Sequence, residues 1–238
     1  MRAIIHAMSF LIIGTLINAA AVIAGGTIGL LLKGRIPATF AESIARAIGL
    51  GVCIIGMTGA IKGDPMLLVV SLALGAFIGE LLHIEDGLNK LGQGLQNLLR
   101  RKEENSTFAE GFVVATLLFC VGPMAVLGSI ESGLGNDRSI IYTKSILDGV
   151  SAMVFASSLG VGVLCSAGVI LLYQGSIELF AGLLQNVLTE ALIIQISAVG
   201  GVMILAIGLN MVLNAKIKAA NLLPGLLVAA GYYYLGMY

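Results

Sequence analysis

The chain has 238 residues, 58% hydrophobic and 11% charged, with a mean hydropathy of +1.02 and 13 basic against 13 acidic residues. A soluble domain carries roughly 25% charged residues, so the composition excludes one and describes an all-α, polytopic helical membrane protein of about six to seven spans. The zero net charge says nothing by itself about partners, and no nucleic acid is expected among them. The expected partners are membrane lipid and a small solute or ion.

The 32 glycines against 4 prolines suit closely packed spans, because small residues let helix backbones approach where lipid offers no hydrophobic drive to associate. Cys53, Cys120 and Cys165 stand singly in apolar runs, and His6 and His83 are isolated. That pattern predicts buried thiols, with no metal, no cofactor and no disulfide. The sequence holds no His-Glu-x-x-His helix and no Ser-His pairing, so no enzyme is expected.

In chain order, the start imitates a secretory signal, but its apolar run continues to Leu32 and is long enough to span. This first span, Ser9 to Leu32, carries Gly14, Asn18, Ala21, Gly25 and Gly29 on one face. Lys33, Arg35 and Pro37 end it. A second span, Ile44 to Ile61, closes at a turn, Lys62-Gly-Asp-Pro65, and a third runs from Met66 to Leu82 with Glu80 near its exit. From Asp86 to Asn105, Leu88, Leu91, Leu95, Leu98 and Leu99 share a helical face opposite Lys90, Gln93 and Asn97. That is an amphipathic helix on the membrane surface, its Arg100-Arg101-Lys102 end suited to anionic lipid, or else a solvated linker helix.

The apolar segment Phe112 to Ile130 is broken in its middle by Gly122-Pro123, which removes a backbone donor, and it runs into Glu131 and Asp137. Broken backbone survives in lipid only where protein buries it or water lies beside it, an arrangement transporters use for binding sites. Gly122, Pro123, Met124, Ser129 and Glu131 are therefore candidate site residues. Lys144 then opens a long helix whose polar face is Lys144, Asp148, Ser151, Phe155, Ser158 and Gly162; this face should look inward. Asp148 pairs with Lys144 at the membrane boundary, or else lies opposite Asn18 and receives a coupling cation or proton. Tyr173-Gln-Gly-Ser176 ends that helix. Ile177 to Glu190 reads as a second interfacial helix, Ile193 to Leu213 as a span containing Asn210, and the last span ends in the tyrosines Tyr232, Tyr233, Tyr234 and Tyr238, an interface belt.

Residues 1–105 form a first three-span half, 106–140 a broken or re-entrant linker and 141–238 a second half. Pro65-Met-Leu-Leu-Val echoes Pro224-Gly-Leu-Leu-Val, as expected of a repeat. If the broken segment crosses, the Lys and Arg residues divide six against seven and give no orientation. If it dips in and returns, they divide two against eleven, and the two halves become an inverted repeat. The expected arrangement is six full spans plus a re-entrant segment.

Gly14-Thr-Leu-Ile-Asn18 with Gly25-Gly26, Gly122-Pro-Met-Ala-Val-Leu-Gly-Ser129, Lys144-Ser-x-Leu-Asp-Gly149, Tyr173-Gln-Gly175 and Asn221-Leu-Leu-Pro224 together resemble the YqgA/YdfK-type bacterial inner-membrane proteins, a family of unknown function. The resemblance covers nearly the whole chain. It implies a bacterial plasma membrane and supplies no substrate or site residues. From the residues themselves the expected function is transport of a small solute or ion at Asn18, Gly122, Pro123, Met124, Ser129, Glu131, Asp148, Ser151 and Asn210. A channel and a non-transporting scaffold are the alternatives, and the glycine stripes suit a homodimer.

Overall fold

The computed structural model describes residues 12–32, 38–98, 107–135 and 138–236. The described residues are helical throughout, with no strand: α1 (Ile13–Leu32), α2 (Ala38–Ala60), α3 (Pro65–Leu81), α4 (Ile84–Leu98), α5 (Phe108–Cys120), α6 (Pro123–Gly133), α7 (Ser139–Leu159), α8 (Gly162–Leu179), a short α9 (Ala181–Leu184), α10 (Glu190–Leu213), a 3-10 turn (Ala219–Leu222) and α11 (Pro224–Tyr234). Helices α1, α7, α8 and α10 are each long and apolar enough to cross a membrane. Two bent pairs, α2 with α3 (118°) and α5 with α6 (60°), bring the candidate spans to six. Lys33, Arg35, Pro37, the Arg100-Arg101-Lys102 cluster, Asp137, His6 and Tyr238 lie outside the described residues.

The distribution of side chains is that of a protein in lipid. Phe77, Leu172 and Leu227 are 70%, 74% and 78% exposed, while Thr15, Asn18, Gln174 and Glu178 are buried. Water would not tolerate so much outward apolar surface.

Glycine sets the closest contacts. A Cβ on Gly25 would lie 1.9 Å from the Gly149 carbonyl oxygen, and one on Gly29 would lie 2.1 Å from that of Met153. Both contacts advance by four residues together, so α1 and α7 run parallel with their backbones touching. On the other side of α1, Gly26 meets Leu164 and the Thr15 amide meets Glu178, so α8 runs antiparallel to α1. Helix α2 lies antiparallel to α10 through Gly49 with Gly208 and Gly56 with Gly201, and α3 antiparallel to α11, with Gly75 against Gly225 and, a turn further along α3, Gly79 against Asn221 of the preceding 3-10 turn.

Local sequence accounts for the turns. Pro65 opens α3 behind Asp64, whose side chain accepts from the Leu67 amide at 2.8 Å, and Thr189 caps α10 by accepting from the Leu192 amide at 3.3 Å. The Lys144-to-Tyr173 stretch, expected as one helix, is two. Gly160, at φ 84°, turns the chain back on itself between α7 and α8, a backbone region closed to side chains with a Cβ. Residues 177–179 continue α8, so the interfacial helix expected there is reduced to the four residues of α9.

The broken segment does not turn back. Its start packs at the top of α8, where a Cβ on Gly162 would meet the Phe108 carbonyl at 2.0 Å, and its end packs at the foot of α8, where a Cβ on Gly133 would meet the Glu178 carbonyl at 2.2 Å. Helices α5 and α6 therefore follow α8 from end to end, bent at Gly122, and the re-entrant expectation gives way to a broken crossing. Helix α4 is not free on the surface either. Its Gly92 lies against Ala109 of α5, and Ile84 and Leu88 pack on the core.

Candidate functional site

Where α1, α7, α8 and α6 meet, the interior is polar. Asn18 is fully buried on α1, and its Nδ2 donates to Asp148 Oδ2 at 2.9 Å and to Gln174 Oε1 at 2.7 Å, tying α1 to α7 and α8 at one level. Lys144 Nζ donates to the same Asp148 oxygen from one turn earlier on α7. The two are only 6% and 8% exposed, so this is a buried ion pair and not a boundary pair on the surface. One turn further along α8 from Gln174, Glu178 accepts from the Thr15 amide with Oε2 at 3.1 Å. That amide belongs to the first turn of α1, whose donors have no partner within the helix.

Local sequence brings these groups together. Asn18 and Thr15 share a face of α1 with Gly14 and Gly25, and the glycines draw α7 and α8 in close enough for short side chains to bridge. Five buried polar atoms of the cluster have no hydrogen-bond partner: Thr15 Oγ1, Asn18 Oδ1, Ser132 Oγ, Gln174 Nε2 and Glu178 Oε1. An orphaned buried polar atom costs roughly 1–3 kcal/mol. Five in one place leave donors and acceptors that water or a bound group would have to satisfy.

Of the residues expected from the sequence, the structure brings Asn18 and Asp148 together here. The Gly122-Pro123-Met124 break lies beside the cluster. Just past it, Gly128 of α6 packs against Ile140 and Ile141 of α7, and Val121 stands against Gly200 of α10. Four others serve their own helices or stand apart. Ser129 Oγ donates to the Ala125 carbonyl at 2.7 Å, Glu131 and Ser151 are half-buried outside the hydrogen-bonded cluster, and Asn210 closes the end of α10. Asn210 Nδ2 donates to the Ile217 carbonyl and its Oδ1 accepts from the Ile217 amide, both at 2.7 Å, around the left-handed Asn214. Asn210→Ala is accordingly expected to lower thermal stability by about 1–2 kcal/mol in a detergent melt and to leave function intact.

Gln174, Glu178, Thr15 and Ser132 are additions made by the structure. A sequence signal for two of them exists: Ser166, Gln174 and Glu178 lie at helical steps of four and eight, a polar stripe on α8 that was divided between a helix end and an interfacial segment.

A second polar group fastens the opposite end. Glu80 accepts from Lys218 Nζ at 2.5 Å and Asn221 Nδ2 at 2.6 Å, Asn221 Oδ1 accepts from the Glu85 amide at 2.7 Å, and Glu85 Oε2 accepts from the Ala220 amide at 2.9 Å. Burial pushes the Glu85 carboxyl above its ordinary value, against the lowering effect of the Ala220 bond. These bonds hold the 3-10 turn against α3 and α4 and explain the place of Asn221 before Pro224. Among the described residues no group of His, Cys, Asp and Glu is arranged to hold a metal ion.

Residues 13–234 match the model of a family described as "Protein of unknown function (DUF554)". The chain is 35% identical over 220 residues to the "Uncharacterized membrane protein YdfK" of Bacillus subtilis (strain 168), covering 90% of this chain and 93% of that one. It is 34% identical over 223 residues to the "Uncharacterized protein YqgA" of Escherichia coli (strain K12), covering 92% and 95%. No solved structure matches it.

Proposed function

We propose, for a chain that belongs to the DUF554 family of membrane proteins of unknown function, that it is a transporter of a small solute or ion, with its binding site at the Asn18–Asp148–Gln174–Glu178 cluster. The observation that carries this reading is the set of five partnerless polar atoms at the meeting of α1, α6, α7 and α8, beside a span broken at Gly122-Pro123. Sites of transporters lie at such depths and beside such breaks.

The helix pairing supports the reading. Helices α1, α2 and α3 each lie antiparallel to one of α8, α10 and α11, taken in chain order, which is the relation expected of an inverted repeat. The step along the chain that carries Pro65 to Pro224 also carries Gly49 to Gly208, and these two glycines touch. A residue in contact with its own counterpart marks where a pseudo-two-fold axis passes. On this reading the second repeat begins at α8 and not at residue 141, because α7 runs parallel to α1.

Charge gives the orientation. Lys90, Lys216 and Lys218 gather at the end where α4 and the 3-10 turn meet, and the sequence joining helix ends on that side carries Lys33, Arg35, Arg100, Arg101 and Lys102. The other end has Lys62 and Arg138, with Arg2 in the sequence before α1 and Lys144 in the second turn of α7. The α4 end therefore faces the cytoplasm of a bacterial plasma membrane.

The test uses proteoliposomes on a solid-supported membrane, challenged in turn with amino acids, organic acids, sugars and inorganic ions. A transient current that saturates with concentration is expected for one class. Asn18→Ala should slow it by about tenfold or more, since the change removes two bonds, one of them to a charged group. A current that never saturates would make the protein a channel, and silence throughout the panel would leave a scaffold.

A further inference from the structure

The buried charges of the cluster do not sum to zero. Lys144 and Asp148 cancel, which leaves Glu178, a carboxylate 1% exposed whose one hydrogen bond comes from a neutral amide. Among the groups that face it, described α1 offers no charged side chain and α6 offers Glu131, half-buried. Helix α7 offers the closed Lys144–Asp148 pair and, a turn before Ile141, Arg138, while Glu110 of α5 lies at the far end of α8. None of them is hydrogen-bonded to Glu178 Oε1, which has no partner.

A partnerless hydroxyl borders the same stretch of α1 as Glu178 Oε1. The position a Cβ of Gly14 would take is 2.5 Å from Glu178 Oε1 and 2.6 Å from Ser132 Oγ, so both oxygens border one spot on the backbone of α1. Thr15, the next residue, contributes a hydroxyl that is itself without a partner. Glu178, Ser132 and Thr15 are each at least nine-tenths buried and come from three different helices.

We infer that Glu178, with the hydroxyls of Ser132 and Thr15, binds one monovalent cation, a proton or a sodium ion, and that this ion is coupled to solute movement at the neighbouring Asn18. The inference deepens the transport reading and rests on it for the coupling, but not for the binding. The chemistry follows from the donor set. One carboxylate and two hydroxyls supply hard oxygen and a single negative charge, too little charge and too few ligands for calcium or magnesium. A lone buried carboxylate is costly unless it is neutralised or paired. The amide of Thr15 holds Oε2 and leaves Oε1 for the ion.

Binding is measured on the purified full chain in detergent. In the sodium arm, thermal midpoints are recorded in sodium chloride against choline chloride at constant ionic strength and alkaline pH. In the proton arm, uptake is followed with a pH dye in sodium-free, weakly buffered solution. The expected result is a midpoint rising with the logarithm of sodium, or one proton taken up per chain; the arm that responds names the ion. Glu178→Gln should abolish the response and Ser132→Ala should weaken it by about tenfold, the worth of one lost hydrogen bond to a charged group, while Gly168→Ala keeps it in full. If Glu178→Gln does not purify folded, the Ser132→Ala result decides. A parent silent in both arms, or a response that Glu178→Gln or Ser132→Ala leaves unchanged, overturns the site. A parent that binds the ion but drives no solute current overturns the transport reading alone, and solute currents indifferent to Glu178→Gln but still slowed by Asn18→Ala overturn the coupling and take Glu178 out of the solute site.

Discussion

Gly25→Ala and Gly29→Ala are expected to remove most of the folded protein from the membrane. The added methyl would lie 1.9 Å or 2.1 Å from a carbonyl oxygen of α7, and backbone, unlike a flexible side chain, cannot step aside. Helices α1 and α7 would have to separate, which also pulls Asn18 off Asp148. Overpacking of a core typically costs about 1–3 kcal/mol, and a clash with backbone belongs at or above the top of that range. Gly168→Ala on the outer face of α8, where nothing lies within 4 Å of the new methyl, should stay within about 0.5 kcal/mol of the parent. Fluorescence-detected size exclusion after a heating series would compare the three. Equal losses at all three positions would show that helix flexibility, and not the contact, makes glycine necessary.

The second large effect is expected at the ion pair. Lys144→Met leaves Asp148 buried without its cation, and breaking a buried pair from one side costs about 3–5 kcal/mol. The double change Lys144→Met with Asp148→Asn removes both charges and should restore most of that stability, because a neutral pair of similar size has no ion to desolvate. Thermal midpoints of the two singles and the double form the cycle. A double variant no more stable than Lys144→Met alone would show that the pair is held for shape and not for charge balance. Transport in the double variant is expected to be lost even where folding is recovered, since Asn18 would then meet an amide in place of a carboxylate.

Much of this was legible in the sequence where a residue's meaning is local. The stripe of Gly14, Asn18, Gly25 and Gly29 announced a packed face with an amide in it, the Lys62-to-Pro65 turn is a turn, and Gly122-Pro123 does break its helix. What could not be read is what depends on partners. Gly160 sits in an unbroken apolar run, and nothing beside it says that its φ is positive, so two antiparallel helices read as one long one. That single omission moved every later segment to the wrong side and made a re-entrant segment attractive as a remedy for the charge balance. Glu178 was misread for a related reason. A glutamate near the end of an apolar run looks interfacial until the first turn of a distant helix is known to lie against it. Asn210 failed in the opposite sense, because a polar residue inside a span looks like a ligand until its own chain folds back to use it.

The spacing of Lys144 and Asp148 has a consequence for how the protein enters the bilayer. Because the two lie one turn apart on the same helix, they can join as soon as α7 forms, before any other helix is in place. Each charge alone would weigh about 2.5–3.5 kcal/mol against insertion at a helix centre, but the joined pair enters as a neutral unit. Glu178 has no such companion on α8. Its bond is to α1, the earlier helix, already lodged in the membrane when α8 leaves the ribosome. Helix α8 is thus expected to insert less completely by itself than when α1 precedes it, so that the order of synthesis supplies an acceptor for its buried carboxylate.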